Sequence, residues 1–94
     1  MTIPDIIWST VQLRYSDGHR CGMDNVLIDI IAECQDPRVS LYVKNGQGSF
    51  DPWLSLMDPA VTSMTSKKLK LFAKGVPKLH HSAELVTVTL EATF

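Results

Sequence analysis

Ninety-four residues supply one hydrophobic core, so the chain reads as a single domain over residues 1–94. With 45% hydrophobic and 20% charged residues and no low-complexity tract, the composition excludes a disordered tail. Nine Lys and Arg against ten Asp and Glu leave a net charge of −1, which argues against a partner that needs global positive charge, so neither nucleic acid nor an anionic membrane is expected. The longest apolar run, Val26 to Ile31, is short and contains Asp29, which excludes membrane insertion through it. The first residues carry no basic stretch ahead of an apolar core, and neither Cys21 nor Cys34 lies in a Cys-x-x-Cys pair. A cytoplasmic protein without a disulfide framework is therefore expected.

From residue 6 to Tyr15, Val11, Leu13 and Tyr15 alternate with polar neighbours as in a half-buried strand, and Asp17-Gly18 closes it as a turn. Between Met23 and Cys34 the apolar residues Met23, Val26, Leu27, Ile30, Ile31 and Cys34 keep a three-and-four spacing that predicts an amphipathic helix. Pro37 cannot extend it, and Arg38 to Val43 reads as a second strand with Val39, Leu41 and Val43 on one side. Asn45-Gly46 and Gly48 are hairpin-turn chemistry. Asp51-Pro52 fits an N-cap with proline at the first helical position, predicting a short helix over Trp53 to Met57, and Asp58-Pro59 repeats the signal. Lys68 to Ala73 alternates as a strand ended by Gly75. After Pro77, Leu79, Ala83, Val86, Leu90 and Phe94 keep helical spacing, although Val86 to Thr89 also alternate; a last helix covering the sheet is the expectation.

His19 is the residue with the most chemistry. It falls at the expected strand-to-helix junction, where unpaired N–H groups and the positive end of the helix dipole favour a phosphoryl group. A solvated turn histidine is the plainer alternative at such a position. His19 and Cys21, with His80-His81 later, do not make the four-ligand spacing of a structural metal site, so no metal and no other cofactor is expected. Lys67-Lys68-Leu69-Lys70 reads as the solvated side of a strand.

Three stretches carry a family resemblance. Gly18-His19-Arg20-Cys21-Gly22 stands where one family has Gly-Leu-His-Ala-Arg-Pro. Ser49 to Met57 resembles that family's Ser-Ile-Met-x-x-Met-x-Leu, and Leu69 to Gly75 is similar to its last strand. The chain thus resembles HPr, the histidine-containing phosphocarrier protein of the bacterial sugar phosphotransferase system, over nearly its whole length.

The resemblance implies an α+β open-faced sandwich, a four-stranded antiparallel sheet with three helices on one face. It further implies that His19 takes a phosphoryl group from an Enzyme I-like donor and passes it to sugar-specific acceptor proteins, with Arg20 stabilising the transferred charge. Ser49 matches a serine phosphorylated by a dedicated kinase. The sequence departs from the pattern where Cys21 and Gly22 replace the family's Arg and Pro, and Arg20 follows His19 directly. The alternative is a regulatory or adaptor protein acting through Ser49 and a partner-binding surface of Trp53, Leu54 and Met57.

Overall fold

The computed structural model describes residues 7–31, 35–75 and 85–94. All its regular elements are strands: β1 (Ile7–Tyr15), β2 (Arg20–Ile31), β3 (Arg38–Lys44), β4 (Phe50–Met64), β5 (Lys68–Gly75) and β6 (Val86–Thr93). Each pairs antiparallel with the next, and β6 returns to β1, so the sheet closes into a six-stranded barrel. This overturns the expected open-faced sandwich with its four-stranded sheet and three helices.

Alternation explains the closure. Along β5, Leu69, Leu71 and Ala73 point inward while Lys68, Lys70, Phe72 and Lys74 point out. In β6, Val88, Leu90 and Ala92 point in. These inward rows meet Val11 and Leu13 from β1, Val26 and Ile28 from β2, Val39 and Leu41 from β3, and Leu56 from β4 in one buried core. A barrel this narrow is filled by its own side chains, and each fully buried Leu or Val contributes roughly 1.5–3 kcal/mol. No helix is needed to cover a sheet that covers itself.

The helices expected from the sequence fail for identifiable reasons. Over Met23 to Cys34 the chain is strand to Ile31, and Cys34 lies outside the described residues. Val26, Ile28 and Ile30 alternate there, with Val26 and Ile28 buried, and the helical spacing leaves Ile28 out. Asn25, at φ 55°, bends the strand just before this run and masks its period of two. Trp53 to Met57 belongs to β4. The two Asp-Pro pairs that mimic helix starts mark irregularities in that strand: the register with β3 slips beside Pro52, and Asp58 takes φ 51° before Pro59. At the C-terminal end, Val86 to Thr93 is strand, as β-branched alternation favours, while 79–84 lies outside the described residues.

Other expectations hold. Ile7–Tyr15, Arg38–Lys44 and Lys68–Gly75 are strands, Gly18 (φ 99°) completes the Asp17-Gly18 turn, and Asn45 organises the next hairpin. Its side-chain oxygen accepts from the Gln47 and Ser49 N–H groups at 2.9 and 3.0 Å.

Bends let the long strands serve two neighbours. β2 pairs with β1 over its first part and with β3 from Val26 onward, while β4 pairs with β3 as far as Met57 and with β5 beyond it. Packing is tight where β5 ends: a Cβ on Gly75 would lie 2.8 Å from Leu56 Cδ2 and 3.3 Å from Val88 Cγ2. Gly75→Ala is expected to cost about 1–3 kcal/mol through overpacking. Urea unfolding monitored by circular dichroism measures it.

Candidate functional site

The outward rows of β2, β1, β6 and β5 form one continuous face whose residues follow from register. Arg20 stands opposite Arg14, Arg14 opposite Thr89, and Thr89 opposite Phe72. The next row runs Gly22, Gln12, Glu91, Lys70. A shallow groove of about 320 Å³ lies over both rows, lined by Gln12, Arg14, Arg20, Lys70, Thr89 and Glu91 together with Leu13. Phe72 leaves 47% of its surface exposed beside it.

Five of the nine basic residues, Arg14, Arg20, Lys68, Lys70 and Lys74, occupy this face. Glu91 is its central acid. Lys68 Nζ lies 2.8 Å and Lys70 Nζ 3.9 Å from the Glu91 carboxylate oxygens. The Lys68 hydrogen bond above all, with the charges of Lys68, Lys70 and Arg14, holds the Glu91 carboxyl below its usual range. The pairs are exposed and contribute little to stability. Asp24 closes the far end, accepting from the Thr10 hydroxyl at 3.0 Å.

Arg14 and Arg20 matter most. They are directly opposed on neighbouring strands, an arrangement of like charges that costs stability. Among the described acids, Asp29 lies on the part of β2 that pairs with β3, Asp51 and Asp58 on β4 and Asp36 in the loop before β3, which leaves Asp24 and Glu91 on this face and Asp17 in the turn beside it. The near-neutral total therefore conceals segregated charge.

His19 lies in the turn between β1 and β2, next to this face. Its Nδ1 is 2.7 Å from Asp17 Oδ2, and its backbone N–H donates to Asp17 Oδ1 at 3.0 Å. Arg20 opens a strand, so the helix N-terminus that would have cradled a phosphoryl group at His19 is not formed. Tyr15 is buried below the turn, and its phenol is pushed above the ordinary tyrosine range, mainly by burial and then by Cys21 and Asp17.

The other expected site residues lie elsewhere on the barrel. Ser49 is exposed in the hairpin between β3 and β4, its carbonyl accepting from the Asn45 N–H at 2.8 Å. Trp53 and Leu54 are half-buried and pack on the core, and Met57 is half-buried between Arg38 and Lys74. The part of Trp53 and Leu54 left open lines a shallow groove of about 200 Å³ together with Ser40, Tyr42, Pro52 and Ser55, and Met57 lies outside it. The exposed aromatic at that side is Trp8, 48% exposed, with its ring centroid 5.0 Å from that of Phe50 and Lys44 Nζ 5.9 Å above it.

No group of three or more potential metal ligands occurs among the described residues; His80 and His81 lie outside them. No helix among the described residues is long and apolar enough to cross a membrane.

Of these residues, Arg20 and Lys70 fall in stretches the sequence singles out, whereas the groove residues Gln12, Arg14, Thr89 and Glu91 and the neighbouring Phe72 belong to no motif. Their signal is the outward phase of alternation in β1, β5 and β6, which becomes a site only when the strand order is known. Comparison of the chain with protein-family models, with curated proteins and with solved structures finds no match.

Proposed function

We propose that this protein is a binding module, and that the face formed by β2, β1, β6 and β5 holds a short stretch of single-stranded nucleic acid. The observation that carries this is the convergence of Arg14, Arg20 and Lys70 with exposed Phe72 on one face of a chain whose net charge is −1. Guanidinium groups match phosphate oxygens, and an exposed ring beside them offers a base a stacking surface. From Arg20 to Phe72 the row crosses three strand spacings of about 4.8 Å, room for two or three nucleotides. The sequence expectation of no nucleic acid rests on total charge and on the lack of aromatic interleaving around Lys67-Lys68-Leu69-Lys70, and neither registers residues that only the strand order brings to one face.

Binding of a labelled oligonucleotide, followed by fluorescence anisotropy at several salt concentrations, tests the proposal. Affinity should fall with salt, with a slope of about −0.7 per phosphate contacted. Phe72→Ala should weaken binding at every salt concentration without changing that slope. Absence of binding at low salt counts against it. Displacement of the oligonucleotide by a sulfated polysaccharide, with Phe72→Ala silent, would instead indicate a general polyanion site.

Glu91 opposes the ligand. Glu91→Gln should tighten binding severalfold, because it removes a charge of the same sign as the phosphates from the middle of the face. Its carboxyl titrates below the ordinary glutamate range, so the wild type should gain the same affinity only in acid below that range. The same titration bears on stability. Glu91 contributes above its unfolded-state value and loses that contribution as pH falls through its lower folded value. Anisotropy titrations of the variant at neutral pH, and of the wild type across the acid range, check both statements.

A second reading concerns His19. Contact of Asp17 with Nδ1 fixes the ring and favours a proton on that nitrogen, the arrangement that makes Nε2 the nucleophile. Acceptance of a phosphoryl group by His19, with Arg20 beside it, is thereby supported without a helix. Incubation with phosphoenolpyruvate and Enzyme I should then give an acid-labile adduct that His19→Ala lacks; no adduct would count against it.

A further inference from the structure

The outward row of β1 does not stop at the basic face. Trp8, Thr10, Gln12 and Arg14 are all exposed while Ser9, Val11 and Leu13 between them are buried, so one side of the strand runs from the Arg14–Arg20 pair to an indole. Along a strand, the interval from Arg14 to Trp8 is about 20 Å. Tryptophan is highly buried on average, yet Trp8 leaves 48% of its surface open.

This indole is held in place. Phe50, from β4, tilts against it with ring centroids 5.0 Å apart and planes at 53°, and Lys44, from β3, sets its ammonium 5.9 Å from the indole centroid. That distance is near the outer limit of attraction between a cation and a ring, so little is lost when the ammonium leaves. Two rings and a cation drawn from three strands to one exposed spot match the two halves of a nucleotide: a flat apolar surface for the base and a positive charge for its phosphate. The acids closest in the chain and along the row are engaged, Asp51 by the Asn45 side-chain amide at 3.3 Å and Asp24 by the Thr10 hydroxyl at 3.0 Å.

We propose that Trp8, Phe50 and Lys44 form a second station for the same single-stranded nucleic acid, with one base stacked on the Trp8 indole and Lys44 moved from the ring to the adjoining phosphate. The inference rests on the reading of the Arg14–Arg20 face as a nucleic-acid site and extends it. The ligand turns at that pair and follows the outward row of β1 past Gln12 and Thr10. A trinucleotide on the basic face is too short to reach the indole, whereas a dodecanucleotide spans the interval even when stacked at about 3.4 Å per nucleotide.

Oligothymidylates of three and twelve nucleotides test the proposal, end-labelled for anisotropy and unlabelled for protein tryptophan emission. The twelve-mer should quench an emission component that Trp8→Ala lacks, and the three-mer should bind without quenching it. Trp8→Ala should weaken the twelve-mer by roughly fivefold to a hundredfold, as loss of base stacking on an aromatic ring does, and leave the three-mer unchanged. Unchanged three-mer binding is also the control for folding. Lys44→Gln should lower the salt slope of the twelve-mer alone by about 0.7.

A twelve-mer that binds with Trp8 emission unchanged, or equally well to Trp8→Ala, would overturn the inference and leave the Arg14–Arg20 face standing. Twelve-mer binding and quenching at wild-type strength in Arg14→Glu combined with Arg20→Glu would remove that face and with it the route to Trp8. Failure of both lengths to bind at low salt would overturn both readings.

Discussion

Leu90→Ala is expected to lower stability by about 2–5 kcal/mol, a large part of the roughly 5–15 kcal/mol available to a domain of this kind. Leu90 is fully buried, opposite Leu13 on one side and Leu71 on the other, at the centre of three adjoining strands. Truncation leaves a cavity that the closed sheet can collapse into only partly. The thermal midpoint should fall by roughly 10 to 30 °C. The pattern around Leu90 is as informative as its size. Val88→Ala should also be costly, whereas Thr87→Ala and Thr89→Ala should be close to neutral, because residues 88, 90 and 92 point inward and their neighbours outward. A helix would spread the costs every three or four residues. Calorimetry of the four variants separates the two patterns.

Arg14→Glu combined with Arg20→Glu is expected to reduce oligonucleotide affinity by roughly 100-fold or more at low salt, since phosphate neutralisation dominates such binding and the exchange removes two cations and adds two anions. Both side chains are exposed, and one pair of opposed like charges is replaced by another. Stability should therefore change by no more than about 0.5 kcal/mol. Parallel anisotropy and urea-unfolding measurements on the double variant distinguish lost binding from lost structure.

Why an opposed arginine pair exists at all is part of the same account. Nothing in the core requires Arg14 or Arg20, and Thr at either position would suit an outward strand site better. Natural chains keep such costs where a ligand repays them. The affinity and stability of the reversal variant bear directly on that reasoning.

Three of the six strands were legible because their alternation is unbroken: Val11, Leu13 and Tyr15 in β1; Val39, Leu41 and Val43 in β3; Leu69, Leu71 and Ala73 in β5. The strands read as helices either contain bends or carry residues that serve both structures. In β2, the bend at Asn25 shifts the phase between Met23 and Val26, producing a three-residue step by accident. In β4, Asp-Pro pairs are as suitable for a bulge as for a helix start. For β6, Val86 to Thr89 already alternate. The expected last helix came from the need to cover one side of an open sheet, a need that closure removes. With those elements corrected, the α+β architecture implied by the resemblance to HPr does not describe this chain.

The candidate site was less legible than the fold. Arg20 was singled out for its place beside His19, yet its neighbours in space, Arg14, Thr89 and Lys70, come from strands whose adjacency depends on β6 returning to β1. Charge totals sum over the surface and do not show which residues share a side. Trp53, Leu54 and Met57 share one face only on a short helix; on β4 they are spread along a strand with a register slip beside Pro52, and Trp53 and Leu54 divide their surface between the core and a shallow groove.

The central claim, that the face around Arg14 and Arg20 is the binding surface, is tested most directly by titrating the isotopically labelled protein with a short oligonucleotide and following backbone amide resonances. The account expects perturbations centred on Gln12, Arg14, Arg20, Lys70, Phe72, Thr89 and Glu91, with the opposite side of the barrel around Ser40 and Ser55 unaffected. Perturbations centred instead on Trp8, Lys44 and Phe50, or none at saturating oligonucleotide, would contradict it.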